Sequence, residues 1–439
     1  MKIMKFGGTS VGKPERMHQV KDLITRDHDK KIVVLSALSG TTNALVGIGE
    51  ALADANKDLA KERIDVLHKH YLTFYKELLK TDAARTKAEN IIKEHFEFLN
   101  IILKISFNEA INRDILAQGE LLSTKLFYTL LQELDIKAVF LPALDFMSID
   151  ENHEPELKKI SEKLKAILAN YPQDRIFVTQ GYICKNHRNE VDNLKRGGSD
   201  YSASLIGAAI NSEVIEIWTD IDGMHNNDPR IVDKTRPIAQ LSFDEAAELA
   251  YFGAKILHPA SIWPAQQNNI PVKLLNTMEP DAPGTTITAK EQGSGVKALA
   301  AKDGITAIKI KSTRMLLAYG FLRKVFEVFE KYKTSIDMIT TSEVAVSVTI
   351  DDLSHLAEII KELEIYGTVE VDRNQTIVSI VGNMIAESKG SMAKIMDCLK
   401  DYPIRMVSYG GSRHNVSLLV EAKYKNEALK SLNEGLFEW

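Results

Sequence analysis

Residues Lys5–Pro14 read KFGGTSVGKP. Gly7 and Gly12 stand at the spacing of a P-loop and Lys13 follows, but the position that should offer a magnesium-binding hydroxyl holds Pro14. Proline fits the first turn of a helix. The helix PERMHQVKDLITRD therefore starts at Pro14 and leaves Lys13 in front of it, so the P-loop match is accidental. The other reading makes KIMKF a short strand with Lys5 at its end and GGTS as a turn. Gly7 and Gly8 then let the backbone approach a phosphate, their N–H groups can form an anion nest, and Lys5 supplies a point charge. A solvated lysine beside a plain tight turn is the bland alternative, and KFGG alone does not decide between the two.

Outward from this stretch, strands and helices alternate. KIVVLSAL is a β-branched run bounded by SGTTN and reads as a buried parallel strand. Ala51–Leu134 has no proline and few glycines, and reads as several helices of a lateral lobe. KAVFL and RIFVTQGYI are strands separated by the helix PELKKISEKLKAIL. DYSASLIGAAI is a helix opening after a glycine pair, SEVIEIWTD a strand, and IPVKLLN another. SFDEAAELAYFG is a helix with a capping box from Ser242 to Glu245 and a stop at Gly253. This order predicts an α/β fold: a three-layer α/β/α domain with a mostly parallel sheet and ligands at the carboxyl ends of its strands.

The pattern changes at AKEQGSGVK, Ala289–Lys297, which reads as a linker. Beyond it Ser335–Ile350 resembles Pro403–Val420, each preceded by an amphipathic helix and followed by another. That is a β-α-β-β-α-β pattern written twice, predicting two small α+β domains. The expected limits are residues 1–293 for the first domain and 294–439 for the tandem pair. The first repeat spans about 304–373 and the second about 374–439, with a possible strand from 294–303.

Bulk properties exclude several classes. The chain has 439 residues, 44% hydrophobic and 26% charged, with formal net charge −5, so disorder and a nucleic-acid or bilayer partner are not expected. Cys184 and Cys398 form no metal spacing and no CxxC, which predicts free thiols in a reducing cytoplasm. No apolar run is long enough to span a bilayer, and no secretory leader is expected.

Five further clusters could carry chemistry. In LKRGGSDY, Arg196 precedes a glycine pair and Ser199–Asp200 cap a helix, a setting that suits an anion and, through Arg196, a carboxylate; a plain N-cap is the alternative. WTDIDGMHNNDPR puts Thr219 and Asp220 at a strand end, while Asp222 and Asp228 read as turn formers. In FGAKILHPA, Lys255 follows a helix stop and can reach a phosphate or lie in solvent; His258 before Pro259 reads as structural. AQGELLST places Glu120 beside Gly119 at the start of an apolar helix, where a carboxylate could bind an amine or face solvent. In the repeats, Asp337 and Glu343 flank one turn and suit a cationic effector. Arg405 and Arg413 hold the comparable places in the second copy, so that copy should not bind the same cation.

Each cluster is weak alone. Together KFGGTSVG, SALSGTTN, QGELLST, RGGSDYSA, WTDIDGM and FGAKILHPA resemble the aspartokinases of the amino acid kinase superfamily, over essentially the whole chain and including tandem ACT domains. GFL and SIDMITTSEV in the first ACT domain resemble the monofunctional lysine-sensitive type. No homoserine dehydrogenase domain is expected after Trp439. The resemblance implies phosphorylation of L-aspartate by ATP to 4-phospho-L-aspartate, the first step toward lysine, threonine and methionine. It implies Lys5, Gly8 and Asp200 in catalysis, and Thr42, Glu120, Arg196 and Ser199 on aspartate. Lys5, Gly7, Gly8, Thr219, Asp220, His225, Arg230 and Lys255 are assigned to ATP, with Mg2+ held by phosphates and water rather than by a protein ligand. Met315, Phe321, Leu322, Asp337, Ser342 and Glu343 are assigned to an effector, expected to be L-lysine, at ACT contacts between subunits of a homodimer or larger assembly. Two departures stand out: His225 where a tyrosine is expected near the adenine, and Ala318 where the lysine-inhibited type has serine. Kinases for glutamate, acetylglutamate or UMP lack the ACT pair. A catalytically silent sensor would not need intact Lys5, Arg196, Asp200 and Asp220, and no GxGxxG follows a strand to support a dehydrogenase.

Overall fold

The computed structural model describes residues 1–194, 197–253, 257–311 and 319–438. Arg196, Lys255, Met315 and Ala318 lie outside them. The chain forms two compact units. The first comprises Met1–Met224, Ala239–Phe243 and Ile256–Lys290; the second comprises His225–Ile238, Asp244–Lys255 and Glu291–Trp439. Two segments within the 1–293 stretch thus group with the C-terminal part.

In the first unit, strands β1 (Lys2–Phe6), β2 (Lys31–Leu35), β3 (Val139–Leu141) and β4 (Ile176–Gln180) precede a small hairpin of β5 (Ile183–Lys185) and β6 (Val191–Asn193). Then come β7 (Ile215–Thr219), β8 (Gln240–Ser242), β9 (Val272–Asn276) and β10 (Thr285–Thr288). Apart from the hairpin they build one eight-stranded sheet in the order β3-β4-β2-β1-β7-β9-β10-β8, parallel except for the β9–β10 pair. Strand β1 is central, with β2 on one side and β7 on the other, so the order reverses there and opens a crevice at the carboxyl ends.

Alternation along the strands assigns the two faces. Met4, Phe6, Val33, Leu35 and Val178 share a core with the helices Pro14–Thr25, Thr41–Ala53, Lys57–Leu78, Asp82–Ile102 and Glu109–Glu133. The expected lateral lobe is therefore the layer on this face, continuous with the sheet's own core. On the other face the helix Gly198–Ile210 packs on β1, β2 and β7 and against the helices Leu157–Ala169 and Pro259–Gln267. The three-layer α/β/α expectation holds.

The second unit carries β11 (Gly295–Lys311), β12 (Ile339–Thr341), β13 (Ala345–Ile350), β14 (Thr368–Asn383), β15 (Met406–Ser408) and β16 (Asn415–Glu421). They form one six-stranded sheet, β12-β13-β11-β14-β16-β15. The repeat is real, but its copies share two long strands: β11 has 17 residues and β14 has 16. Residues 305–311 of β11 pair with 368–375, and 295–302 with 377–383. The register shifts between Lys302 and Ile305, beside Gly304 at φ 75° and Asn374 at φ 58°. Each copy keeps its own core, one around Ile308, Val325, Phe329 and Ile359, the other around Ile380, Ile395, Leu418 and Leu429.

The β11–β14 ribbon leaves no room at Gly382, where a Cβ would sit 2.0 Å from the Gly295 carbonyl oxygen. Gly382→Ala should destabilise the second unit by about 1–3 kcal/mol, seen as a lower urea midpoint. An unchanged midpoint would show that the strands part at no cost.

Candidate active site

The carboxyl ends of the central strands and the turns that follow enclose a cleft of about 560 Å³. Gly8, Thr42, Glu120, Ser199, Thr219 and Asp220 all line it. They come from five separate places in the sequence, Thr219 and Asp220 being neighbours.

Lys5 lies on β1 with its side chain toward the helix Gly198–Ile210. Its Nζ is 2.6 Å from Asp200 Oδ1, and the two side chains are 11% and 16% exposed. A lysine so enclosed needs a counter-charge, and Asp200 in the helix's first turn supplies it. The helix can start there because Gly197 and Gly198 take left-handed φ values of 71° and 47°. Ser199 and Asp200 do not cap it: the N-cap is Gly197, with no side-chain cap. Ser199 is buried and turned to the cleft.

The stretch after β1 also differs from the expected open turn. Gly8–Val11 is one turn of helix with Gly7 at its N-cap. A Cβ on Gly8 would lie 3.0 Å from the Ala37 carbonyl oxygen, so glycine lets this turn nest against the loop after β2. Lys13 is the exposed N-cap of the helix beginning at Pro14, outside the cleft, so the P-loop match is indeed accidental.

Glu120 sits mid-way along the 25-residue helix Glu109–Glu133, not at a helix start. Gly119 brings that helix close to the β2 loop, since a Cβ there would be 2.8 Å from Ala37 Cβ. The Glu120 carboxyl is 4% exposed. Oε1 accepts the Ala37 N–H at 3.2 Å, and Oε2 is buried without a hydrogen-bond partner among the described residues. Burial raises its pKa from 4.5 to about 8, against the weaker pull of the Ala37 N–H and the Lys5 charge.

Thr219 ends β7, and its hydroxyl donates to Asp220 Oδ1 at 3.2 Å. In the second unit, Asp228 accepts the Arg230 N–H at 2.9 Å as a turn former and binds the Arg230 guanidinium at 2.9 and 2.7 Å. His225 Nδ1 lies 2.9 Å from Thr235 Oγ1. His258 is structural as expected: its Nδ1 accepts the Ala260 N–H at the head of a helix.

One cleft residue escaped the sequence reading. Tyr182 lines the cleft at φ 66°, a left-handed value unusual for a bulky side chain. Its N–H donates to Ser202 Oγ at 2.8 Å and its carbonyl accepts the Leu194 N–H at 2.8 Å, which hold the conformation. Only the preceding Gly181, where a Cβ would lie 2.4 Å from Ser199, hints at this in the sequence.

Comparison with known proteins places this geometry. The profile of the amino acid kinase family matches residues 1–276 and an ACT domain profile matches 378–436. Lysine-sensitive aspartokinase 3 of Escherichia coli is 32% identical over 448 residues, 99% of each chain. The chain belongs to the aspartokinases. Aspartokinase 3, chloroplastic, of Arabidopsis thaliana is 37% identical over 99% of this chain and 81% of its own length. The crystal structure of E. coli aspartokinase III with aspartate and ADP, in the R-state, matches with a TM-score of 0.88 at 31% identity over all of both chains. The same enzyme with lysine and aspartate, in the T-state, matches at 0.82.

The raised pKa of Glu120 has a thermodynamic consequence. The folded chain keeps a proton that the unfolded chain releases between pH 4.5 and about 8. The stability tied to this group is full below the lower value and lost as pH rises through the upper one. Glu120→Gln cannot ionise, so its urea midpoint should gain on the parent's steadily from about pH 5 to pH 8. A gap that stays constant with pH would show that the carboxyl is not held protonated.

Proposed function

We propose that the chain transfers the terminal phosphoryl group of ATP to the side-chain carboxylate of L-aspartate, giving 4-phospho-L-aspartate and ADP, the first step toward lysine, threonine and methionine. The observation that carries this reading is the enclosed Lys5–Asp200 pair at the end of β1, in the unit whose cleft also holds the buried Glu120.

A carboxylate nucleophile is already ionised at neutral pH and needs no general base. The obstacle is electrostatic, because an anion must approach a triphosphate. At about 4 Å and an effective dielectric near 20, each like-charge pair costs roughly 4 kcal/mol. Lys5, with the N–H groups at the start of the helical turn Gly8–Val11, offsets that charge on the transferring phosphoryl group, and Asp200 orients the Lys5 ammonium; the Gly7 N–H, expected in the same nest, donates instead to the Trp218 carbonyl at 3.2 Å. Glu120 takes the ammonium of aspartate, with Thr42, Ser199 and Arg196 on its carboxylates. Thr219 and Asp220 face the nucleotide. The motifs alone assign His225, Arg230 and Lys255 to it, with His225 stacking on the adenine.

Mg2+ accompanies ATP, coordinated by phosphate oxygens and water. Among the described residues no group of three or more His, Cys, Asp or Glu side chains could hold a metal ion. The effector is L-lysine, bound at Asp337, Ser342 and Glu343 with Met315, Phe321 and Leu322 beside it. Ser342 and Glu343 are exposed in the β12–β13 loop, Leu322 is 39% exposed, and Phe321 belongs to the core of the first repeat. We keep residues 1–293 as the catalytic domain and 294–439 as the tandem regulatory domains. The working state is a homodimer or larger assembly joined through them, in the cytoplasm. No helix among the described residues is long and apolar enough to cross a membrane.

A hydroxylamine trap tests the reaction. With magnesium-ATP, L-aspartate should give a hydroxamate and L-glutamate should not, and L-lysine should suppress the product. Lys5→Ala should lower turnover at least 100-fold, the order expected for a donor on the developing charge. No hydroxamate from aspartate, in protein that still binds an amino acid, would leave the chain a sensor.

A further inference from the structure

Asp337 lies just before β12, where its N–H donates to the Thr349 carbonyl at 2.9 Å. Its side chain is 1% exposed, so it is no solvated loop residue. Lys302 Nζ donates to Asp337 Oδ1 at 2.7 Å and lies 2.9 Å from Asp351 Oδ2. The Tyr251 hydroxyl donates to the same Oδ1 at 2.8 Å, and the Lys302 ammonium stands 4.7 Å from the centre of the Tyr251 ring. Asp337 Oδ2 is buried with no hydrogen-bond partner among the described residues. Two carboxylates and an aromatic face are the chemistry that recognises a primary ammonium.

We propose that Asp337, Asp351 and Tyr251 form an ammonium site that the chain fills with its own Lys302, that a free cationic amino acid enters by displacing that ammonium, and that Tyr251 passes the exchange to its own helix. This rests on the effector reading above, and adds that the effector must compete with an internal ligand. Burial works against the Lys302 charge, but the hydrogen bonds it donates to Asp337 and Asp351 outweigh that and raise its pKa, so the internal occupant stays cationic.

Tyr251 ends the helix Phe243–Tyr251, which is held within the second unit by three residues spaced by three. The fully buried Glu245 accepts from Lys297 Nζ at 2.7 Å on β11. Glu248 accepts from Asn415 Nδ2 at 3.0 Å on β16. Tyr251 makes the third contact, and it alone is to a residue of the effector turn. The chain then leaves the helix through Gly253, at φ 122°, where a Cβ would lie 2.1 Å from the Ala301 carbonyl, next to Lys302. Two residues later the sequence carries Lys255, assigned to the nucleotide. Loss of the Tyr251 hydrogen bond therefore loosens the end of the helix nearest that lysine.

The test uses the full chain, with L-lysine as ligand and L-norleucine, which lacks the second ammonium, as control. Lys302→Met keeps a linear stem without the charge and should bind L-lysine at least tenfold more tightly by calorimetry, with norleucine still unbound. Tyr251→Phe should bind L-lysine at least as tightly as the parent yet need at least fivefold more of it to suppress hydroxamate formation. Equal or weaker lysine binding by Lys302→Met, or an unshifted inhibition curve in Tyr251→Phe, would overturn the proposal. Should Lys302→Met fail to fold, Lys302→Gln removes the same charge while leaving both carboxylates in place and should tighten lysine binding in the same direction, and no tightening there overturns the exchange. A parent that makes no hydroxamate would sink the kinase reading alone, because the binding titrations still decide this one.

Discussion

The ion pair between Lys5 and Asp200 ties the end of β1 to the head of the helix Gly198–Ile210, and the site's geometry depends on it. Strand alternation sends Lys5 to the opposite face from Met4 and Phe6, away from the large helical core. An enclosed ammonium on that face must be neutralised or lose its charge. The helix Gly198–Ile210 must therefore begin where its third residue can reach the end of β1. That requirement explains two consecutive left-handed glycines before it, since a chain with Cβ atoms there would resist the turn. It also explains the tight approach of Gly181 to Ser199, which sets Tyr182 into the cleft.

The opposing wall works on the opposite principle. Lys5 has its counter-charge in place, whereas Glu120 is buried with half its carboxylate unpartnered and holds a proton into the neutral range. A site prepared in this way is neutral on its acidic side until a cation arrives. It does not add a further negative charge against the triphosphate, and it ionises when an ammonium compensates it. Phosphoryl transfer between two anions favours this arrangement over a permanently charged pocket.

The sequence made the parallel sheet legible because β-branched runs and helix patterns alternate at short spacing. Its glycine-marked stretches, KFGG and RGGSD, contain Gly8, pressed against the Ala37 carbonyl, and the left-handed Gly197 and Gly198. Glu120 was visible as a residue but not as a mid-helix one, because an apolar pattern with an internal glycine reads equally as a break. The fusion of the two repeats was hidden for a related reason. A 17-residue strand bending at Gly304 reads locally as two strands with a linker. Tyr182 has only Gly181 before it as a local signal and Lys302 has none, since their roles come from partners distant in the chain: Ser202 and Leu194 for one, Asp337 and Tyr251 for the other.

The asymmetry of the repeats also takes on a different meaning in three dimensions. Arg405 and Asp337 occupy equivalent places, each donating its N–H to the far end of its paired strand, to Leu419 and Thr349 respectively. Both side chains are already neutralised within the chain, Arg405 by Asp372 and Asp337 by Lys302; Arg413 is likewise taken by Glu387. What separates the copies is burial. Arg405 is 42% exposed and its pair is worth little in either direction, because water and salt replace the partner readily. Asp337 is sealed at 1%, where exchanging one ammonium for another rearranges contacts that water cannot replace. Charge sign alone would let either repeat answer a ligand of opposite charge, and burial makes the first repeat the one whose occupancy the rest of the unit can feel.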